Sequence, residues 1–250
     1  MTRLRRLLFQ WALVQALLCT DPLAAEDILA QWPQWRGPLQ TGEAPLADPP
    51  VEWSETKNVA WKKTLPGIGH STPIVWNQHV FVTAAIPYGD ELPPVPVTAP
   101  GAHDNVPVTQ RHKFVVTAFD RRSGETRWQR TVADVLPHEG GHYTGSLASA
   151  SPVTDGELLI ASFGSRGIFC LDFDGNVLWQ VNLGTMQSKH AHGEGSSPVL
   201  DGDTLVVNWD HEGASFVVAL DRKTSRQLWK LDREEGESSS VLFLSFGNPF

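Results

Sequence analysis

The chain has 250 residues, with 28 acidic residues against 20 Lys and Arg and a formal net charge of −8. No basic cluster appears beyond the first few residues, which argues against a nucleic-acid or anionic-membrane surface. Two cysteines, Cys19 and Cys170, are too few for a disulfide-built scaffold, so stability must come from packing.

The first 25 residues have the pattern of an export signal. Arg3, Arg5 and Arg6 precede the apolar run Leu7–Leu18, and Ala24-Ala25 supplies a small-residue cleavage point. The run is shorter than the ~20 residues of a membrane span, so no span is expected once it is removed. A retained anchor is the alternative. Cys19 lacks the small residue just before it that a lipoprotein signal wants. Cleavage would leave Cys170 as the sole cysteine, with 17 basic and 27 acidic residues and a net charge of −10. The expected location is periplasmic or secreted.

Residues 26–57 form an N-terminal extension with no complete repeat, holding Trp32-Pro33-Gln34-Trp35-Arg36-Gly37-Pro38 and a Pro-rich passage to Pro50. Residues 58–66, around Trp61, read as the Trp-bearing outer strand of a partial blade. From about residue 70 onward one plan recurs. Ser71-Thr72-Pro73-Ile74-Val75, Ser151-Pro152-Val153 and Ser196-Ser197-Pro198-Val199 open three units. Asp155-Gly156 and Asp201-Gly202 turn between apolar runs, and Ala118-Phe119-Asp120, Cys170-Leu171-Asp172 and Ala219-Leu220-Asp221 follow. A Trp then closes each unit seven or eight residues after the Asp, at Trp128, Trp179 and Trp229. The spacing from Pro152 to Pro198 is 46 residues, and from Trp179 to Trp229 it is 50.

A period in the forties with four short strands per unit predicts an all-β propeller. Here it is an incomplete arc of three full four-stranded blades, over about 70–133 (with an insertion at 88–111), 147–183 and 194–232. Partial blades are expected at 58–66 and 238–250, making residues 58–250 a partial propeller domain with open edges. The insertion, rich in Pro, Gly, Asp and Val, reads as a loop or partly disordered excursion, with a hydrophobic accessory segment in the pocket mouth as the alternative. Leu158-Leu159-Ile160 and Leu205-Val206-Val207 are continuous apolar runs expected to be buried on both faces. Trp61, Trp128, Trp179 and Trp229 are assigned to blade docking rather than to substrate stacking. Cys170 falls on a buried strand and reads as an inert core thiol.

The pattern Ser-x-Pro-Val, Asp-Gly, Ala-x-Asp-x-x-x-Gly-x-x-x-Trp resembles the pyrroloquinoline-quinone-like (PQQ-like) propeller repeat. That repeat occurs in quinoprotein alcohol dehydrogenases and in the outer-membrane barrel-assembly propeller lipoprotein. Trp32–Pro38, Phe163-Gly164-Ser165-Arg166-Gly167, Gly193–Pro198 and Asn208–Gly213 resemble an exported group of such proteins of the planctomycete type. The resemblance covers residues 32 to about 235 and implies seven or eight blades, so the tail after Ser238 reads as a C-terminal truncation.

The resemblance implies, for an enzyme of the quinoprotein class, a vicinal cysteine pair and a calcium held by Glu, Asn and Asp. This chain has no adjacent cysteines, so no quinone cofactor is expected and no catalytic residue is assigned. His138, His142, His190, His192 and His211 lie near Glu139, Glu194, Asp210 and Glu212. His138 and His142 would face together only on a helix, which Gly140-Gly141 argues against. His190-Ala191-His192 on an extended strand would point both rings to one side, but no tight metal spacing stands out and no metal is assigned. Turns at equivalent corners of successive blades should converge at one end of the channel, where propellers bind ligands. Arg166, His190, His192, Glu194, Asp210 and His211 are the expected binding residues. The expected function is an exported, non-catalytic scaffold for protein or carbohydrate partners. A quinone- or metal-dependent oxidoreductase is the alternative.

Overall fold

Short apolar runs separated by tight turns leave the chain little choice but to fold back on itself, strand beside strand. In this computed structural model, which describes residues 28–233, the first such meander runs through β1 (Ile74–Trp76), β2 (His79–Tyr88), β4 (Arg111–Asp120) and β5 (Thr126–Val135). Its order is β1-β2-β4-β5, antiparallel throughout. The second blade is β7 (Val153–Thr154), β8 (Leu159–Ser162), β9 (Ile168–Leu171) and β10 (Val177–Val181). The third is β11 (Val199–Asp201), β12 (Thr204–Trp209), β13 (Phe216–Asp221) and β14 (Gln227–Asp232). A short ribbon pairs β3 (Asn105–Val106) with β6 (Gly141–His142). The expected signal over 1–25 and the expected partial blade over 238–250 lie outside the described residues.

The second blade shows why its apolar runs are continuous. Every residue of β8 and β9 is buried. Side chains alternate across a strand, so Leu159, Ala161, Phe169 and Leu171 join Ile74, Phe81 and Phe114 of the first blade in one core. Ile160, Ile168 and Cys170 join Leu205, Trp209 and Leu220 of the third blade in another. By contrast β14, with no described neighbour on its far side, is exposed along its whole length.

Three devices repeat at the blade junctions. In each Asp turn a carboxylate accepts two backbone N–H groups: Asp120 from Arg122 and Ser123, Asp172 from Asp174 and Asn176, Asp221 from Lys223 and Thr224. These bonds favour the ionised form, and with Arg127 they hold the Asp120 carboxyl down at about 2. The carbonyl just after that Asp then receives an indole N–H from the preceding repeat. Trp61 donates to Arg121 (2.9 Å), Trp128 to Phe173 (2.7 Å) and Trp179 to Arg222 (2.9 Å). The Trp128 ring lies so close to Gly175 that a Cβ there would sit 2.8 Å from it, at a φ of +83°. Trp229 is 41 % exposed, and no such turn covers it among the described residues. The third device links the inner strands, which lie side by side. The N–H of Thr72 donates to Ser151 Oγ and that of Ser151 to Ser197 Oγ, both at 2.9 Å. The residue before each motif proline thus ties its blade to the next.

Three expectations need correction. Residues 58–66 carry no strand, because among the described residues no strand pairs with them to form a ladder; Trp61 still takes the docking position. The insertion is shorter than 88–111, since Tyr88 and Arg111 are paired residues of β2 and β4, and it returns through β3 to pair with β6. His190-Ala191-His192 is not extended. Lys189–Ala191 form a 3-10 turn with left-handed backbone at His190 and Ala191, both with a φ of 55°. Asn105 Nδ2 clamps that turn by donating to the carbonyls of His190 and Ala191.

Cys170 is fully buried on β9, and burial pushes its thiol up to about 12. At pH 8 the thiolate fraction is then about a thousandfold below that of an ordinary cysteine. Native protein treated with a thiol reagent and mapped by mass spectrometry should leave Cys170 unmodified until denaturant is added. Rapid native labelling would show that β9 opens freely.

Candidate functional site

The corner turns cluster around one loop, residues 186–194, which joins the second blade to the third. Its centre is an ion pair. Arg166, on the 3-10 turn between β8 and β9, places Nη1 2.9 Å from Glu194 Oε1, with side chains only 4 % and 7 % exposed. Glu194 also accepts the Ser165 N–H (2.7 Å) and the Ser165 hydroxyl (2.6 Å). Ser165 Oγ in turn accepts the N–H of Met186. This approach requires a glycine at 164, where a Cβ would lie 1.7 Å from Glu194 Oε2 and φ is +57°. Arg166 reaches the first blade as well, through the Glu139 carbonyl (3.3 Å) and the face of Phe114. Its Nε is buried without a partner.

His138 and Glu139, from the segment between the first two blades, complete the group. Glu139 Oε1 accepts the N–H and hydroxyl of Ser188, at 3.1 and 2.6 Å. His138 Nε2 stands 2.8 Å from the Met186 carbonyl and 3.9 Å from Glu194. His138, Glu139 and Glu194 bring three ligand-type atoms within 4.8 Å. A guanidinium already occupies the cation's place there, and Ser165 and Ser188 engage both carboxylates. This is a structural knot joining two blades and their connections.

Asp210 and His211 form a second group, in the β12–β13 turn. Asp210 pairs with Arg233 and accepts Asn208 Nδ2 at 3.0 Å. His211 Nδ1 accepts the N–H groups of Gln187 and Gly213, so its ring organises the turn and fastens it to the same loop. His190 and His192 belong to neither group. They meet His103 of the insertion and His142 of β6. Of the six sequence-derived site residues, direct contact joins Arg166 to Glu194; the other four fall into two separate groups.

Beside these corners lies a hollow lined by Ile68, Pro87, Val106, His112, Tyr143 and Leu147. Ile68, Val106 and Tyr143 are 58 %, 53 % and 67 % exposed. Burial, followed by the charge of Arg166, pushes the His112 pKa below its ordinary value, which favours its neutral ring. Sequence reasoning weighed an apolar segment at the pocket mouth only as the alternative for this insertion and named neither these lining residues nor His103, because the insertion has loop composition and no periodic signal.

The family described as outer membrane protein assembly factor BamB matches residues 112–247. Solved structures with a similar fold include a quinohemoprotein alcohol dehydrogenase from Pseudomonas putida HK5, at 15 % identity over 84 % of this chain and 28 % of that one, with a TM-score of 0.48. The quinohemoprotein alcohol dehydrogenase from Comamonas testosteroni gives 14 % identity over 67 % of this chain and 21 % of that one, with a TM-score of 0.40. BamB from Moraxella catarrhalis gives 22 % identity over 48 % of this chain and 34 % of that one, with a TM-score of 0.31. The chain therefore spans only about a fifth to a third of the length of these structures. No curated protein sequence matches it.

Proposed function

The chain belongs to the family of the outer membrane protein assembly factor BamB, a PQQ-like propeller-repeat family, and from that premise we propose that it is an exported, non-catalytic scaffold for protein partners. The observation that carries this reading is the hollow at the insertion, where Ile68, Val106 and Tyr143 present apolar surface to solvent. Its occupant is an apolar polypeptide segment, such as a strand of an outer-membrane protein under assembly, the class that the family's name supplies. A carbohydrate is less suited, because the lining is mainly aliphatic and offers few converging polar groups.

The quinoprotein-type oxidoreductase is disfavoured by the donors available. The resemblance implies, for a dehydrogenase, a vicinal cysteine pair and a calcium held by Glu, Asn and Asp. Here Cys170 is a core thiol, while Glu139 and Glu194 are held by Ser188, Ser165 and Arg166.

A fluorescently labelled peptide with the alternating apolar pattern of a barrel strand tests the reading. Ile68→Asp and Val106→Asp should each weaken its binding by about tenfold or more, since an unpaired charge would enter the contact. Leu178→Asp, on exposed β10, should leave binding unchanged. Equal binding by all four proteins would overturn the docking surface, and quinone-dependent alcohol oxidation by the purified chain would overturn the non-catalytic assignment.

A further inference from the structure

We propose that His103, His190 and His192 form a binding site for a divalent transition-metal ion of the zinc class, with His142 beside them as a fourth imidazole. Three separate segments bring these rings together: the insertion, the β6 ribbon and the loop between the second and third blades. Ring centroids are 5.2 Å apart for His103 and His190, 4.8 Å for His103 and His192, and 5.5 Å for His190 and His192. His142 lies 4.8 Å from His192. Two imidazoles bound to one tetrahedral ion, with metal–nitrogen bonds of about 2.0–2.1 Å, have ring centres about 5.2 Å apart. All three sides of the His103–His190–His192 triangle match that spacing.

The hydrogen bonds around the rings point the same way. His103 Nδ1 is 2.8 Å from the Gly101 carbonyl and His190 Nδ1 is 3.3 Å from the Pro100 carbonyl. A carbonyl only accepts, so each Nδ1 carries the proton and each Nε2 keeps its lone pair for a ligand, the arrangement that second-shell acceptors impose on metal-binding histidines. His142 differs: its Nδ1 accepts the Thr144 N–H at 3.3 Å and has the Thr144 hydroxyl at 2.8 Å, so its proton sits on Nε2 and that ring must change tautomer before it can join as a ligand. His192 Nε2 is buried with no hydrogen-bond partner, which a bound ion would supply. The free nitrogens lie farther apart than the ligand atoms of His138, Glu139 and Glu194, and binding an ion would draw the three segments closer together. The left-handed turn at His190 and Ala191, clamped by Asn105, sets two of the ligands on one tight segment. An all-imidazole set suits zinc, copper or nickel rather than calcium or magnesium. The ion would fasten three segments that meet through few backbone bonds, among them His142 N–H to the His192 carbonyl and Tyr143 N–H to the Asp104 carbonyl.

The test uses the untagged full chain, titrated with Co²⁺ followed by visible absorption and with Zn²⁺ followed by calorimetry. One equivalent of each ion should bind, with a cobalt spectrum of tetrahedral nitrogen ligation. Zn²⁺ at 100 times its Kd should raise Tm by about 5–10 °C. His103→Ala, on an exposed loop, and His192→Ala should each weaken binding by about 100-fold or more, while His138→Ala leaves it unchanged. Absence of binding at millimolar Zn²⁺ would overturn the site, as would full affinity in His103→Ala. The barrel-strand peptide should still bind the metal-free protein, so this proposal and the docking surface fail separately.

Discussion

Replacing Glu194 with Ala should lower the unfolding free energy of the chain by about 3–5 kcal/mol, the usual cost of stranding one member of a buried ion pair. The cost falls on what remains. Arg166, only 4 % exposed, would keep its charge but lose its carboxylate partner. The N–H and hydroxyl of Ser165 would lose their acceptor, and the turn over Gly164 would face a void where the carboxylate had pressed against it. Arg166→Met alone should cost less, because Glu194 would retain both Ser165 bonds. The double variant Arg166→Met, Glu194→Ala should be less destabilised than the two single changes summed, because neither charge is then left unpaired. Urea unfolding of the four proteins measures the cycle. A loss below about 1 kcal/mol for Glu194→Ala, or strict additivity in the double variant, would mean that the pair does not hold the blades together.

The blade plan was legible because it depends on short-range chemistry that each repeat restates. Asp120, Asp172 and Asp221 announce a turn whose carboxylate binds its own backbone, and the Trp that follows is at fixed reach. Leu159 and Ile160 already implied a strand buried on both sides, as the alternating split of β8 between two cores shows. The reach of Trp128 to the Phe173 carbonyl, and of Ser151 N–H to Ser197, was not legible. Those bonds join residues 45 and 46 positions apart, and nothing local specifies the partner.

The site was legible only in part, for a related reason. Arg166 and Glu194 could be nominated from equivalent corners, and they do meet. Placing His190 and His192 on a strand failed because the pattern contains no glycine to announce left-handed backbone; Asn105, 85 positions away, stabilises the turn instead. His103 and the apolar hollow depend on where the insertion comes to rest. That position is set by the pairing of β3 with β6 over two residues each, too short a match to be read from hydrophobic periodicity.

Trp179→Ala should cost roughly 3–5 kcal/mol in the same urea assay, whereas Trp229→Ala should stay within about 0.5 kcal/mol. The two residues close equivalent units and would be interchangeable on sequence grounds alone; burial separates them. The Trp179 indole packs against the core shared by the second and third blades and donates to the Arg222 carbonyl. Arg222 also spans the junction with its side chain, pairing with Asp155 at 2.5 Å and Glu157 at 3.0 Å in the second blade and with Asp203 at 2.9 Å in its own. Removing the ring therefore opens a cavity beside that node and leaves a carbonyl without its donor. Trp179→Phe keeps most of the ring and should recover all but about 1 kcal/mol, the net worth of one hydrogen bond. Trp229 is 41 % exposed on a strand with every residue exposed, so its loss creates no void among the described residues. Equal losses for the two Ala variants would refute the assignment of docking energy to the Trp–carbonyl contact between blades.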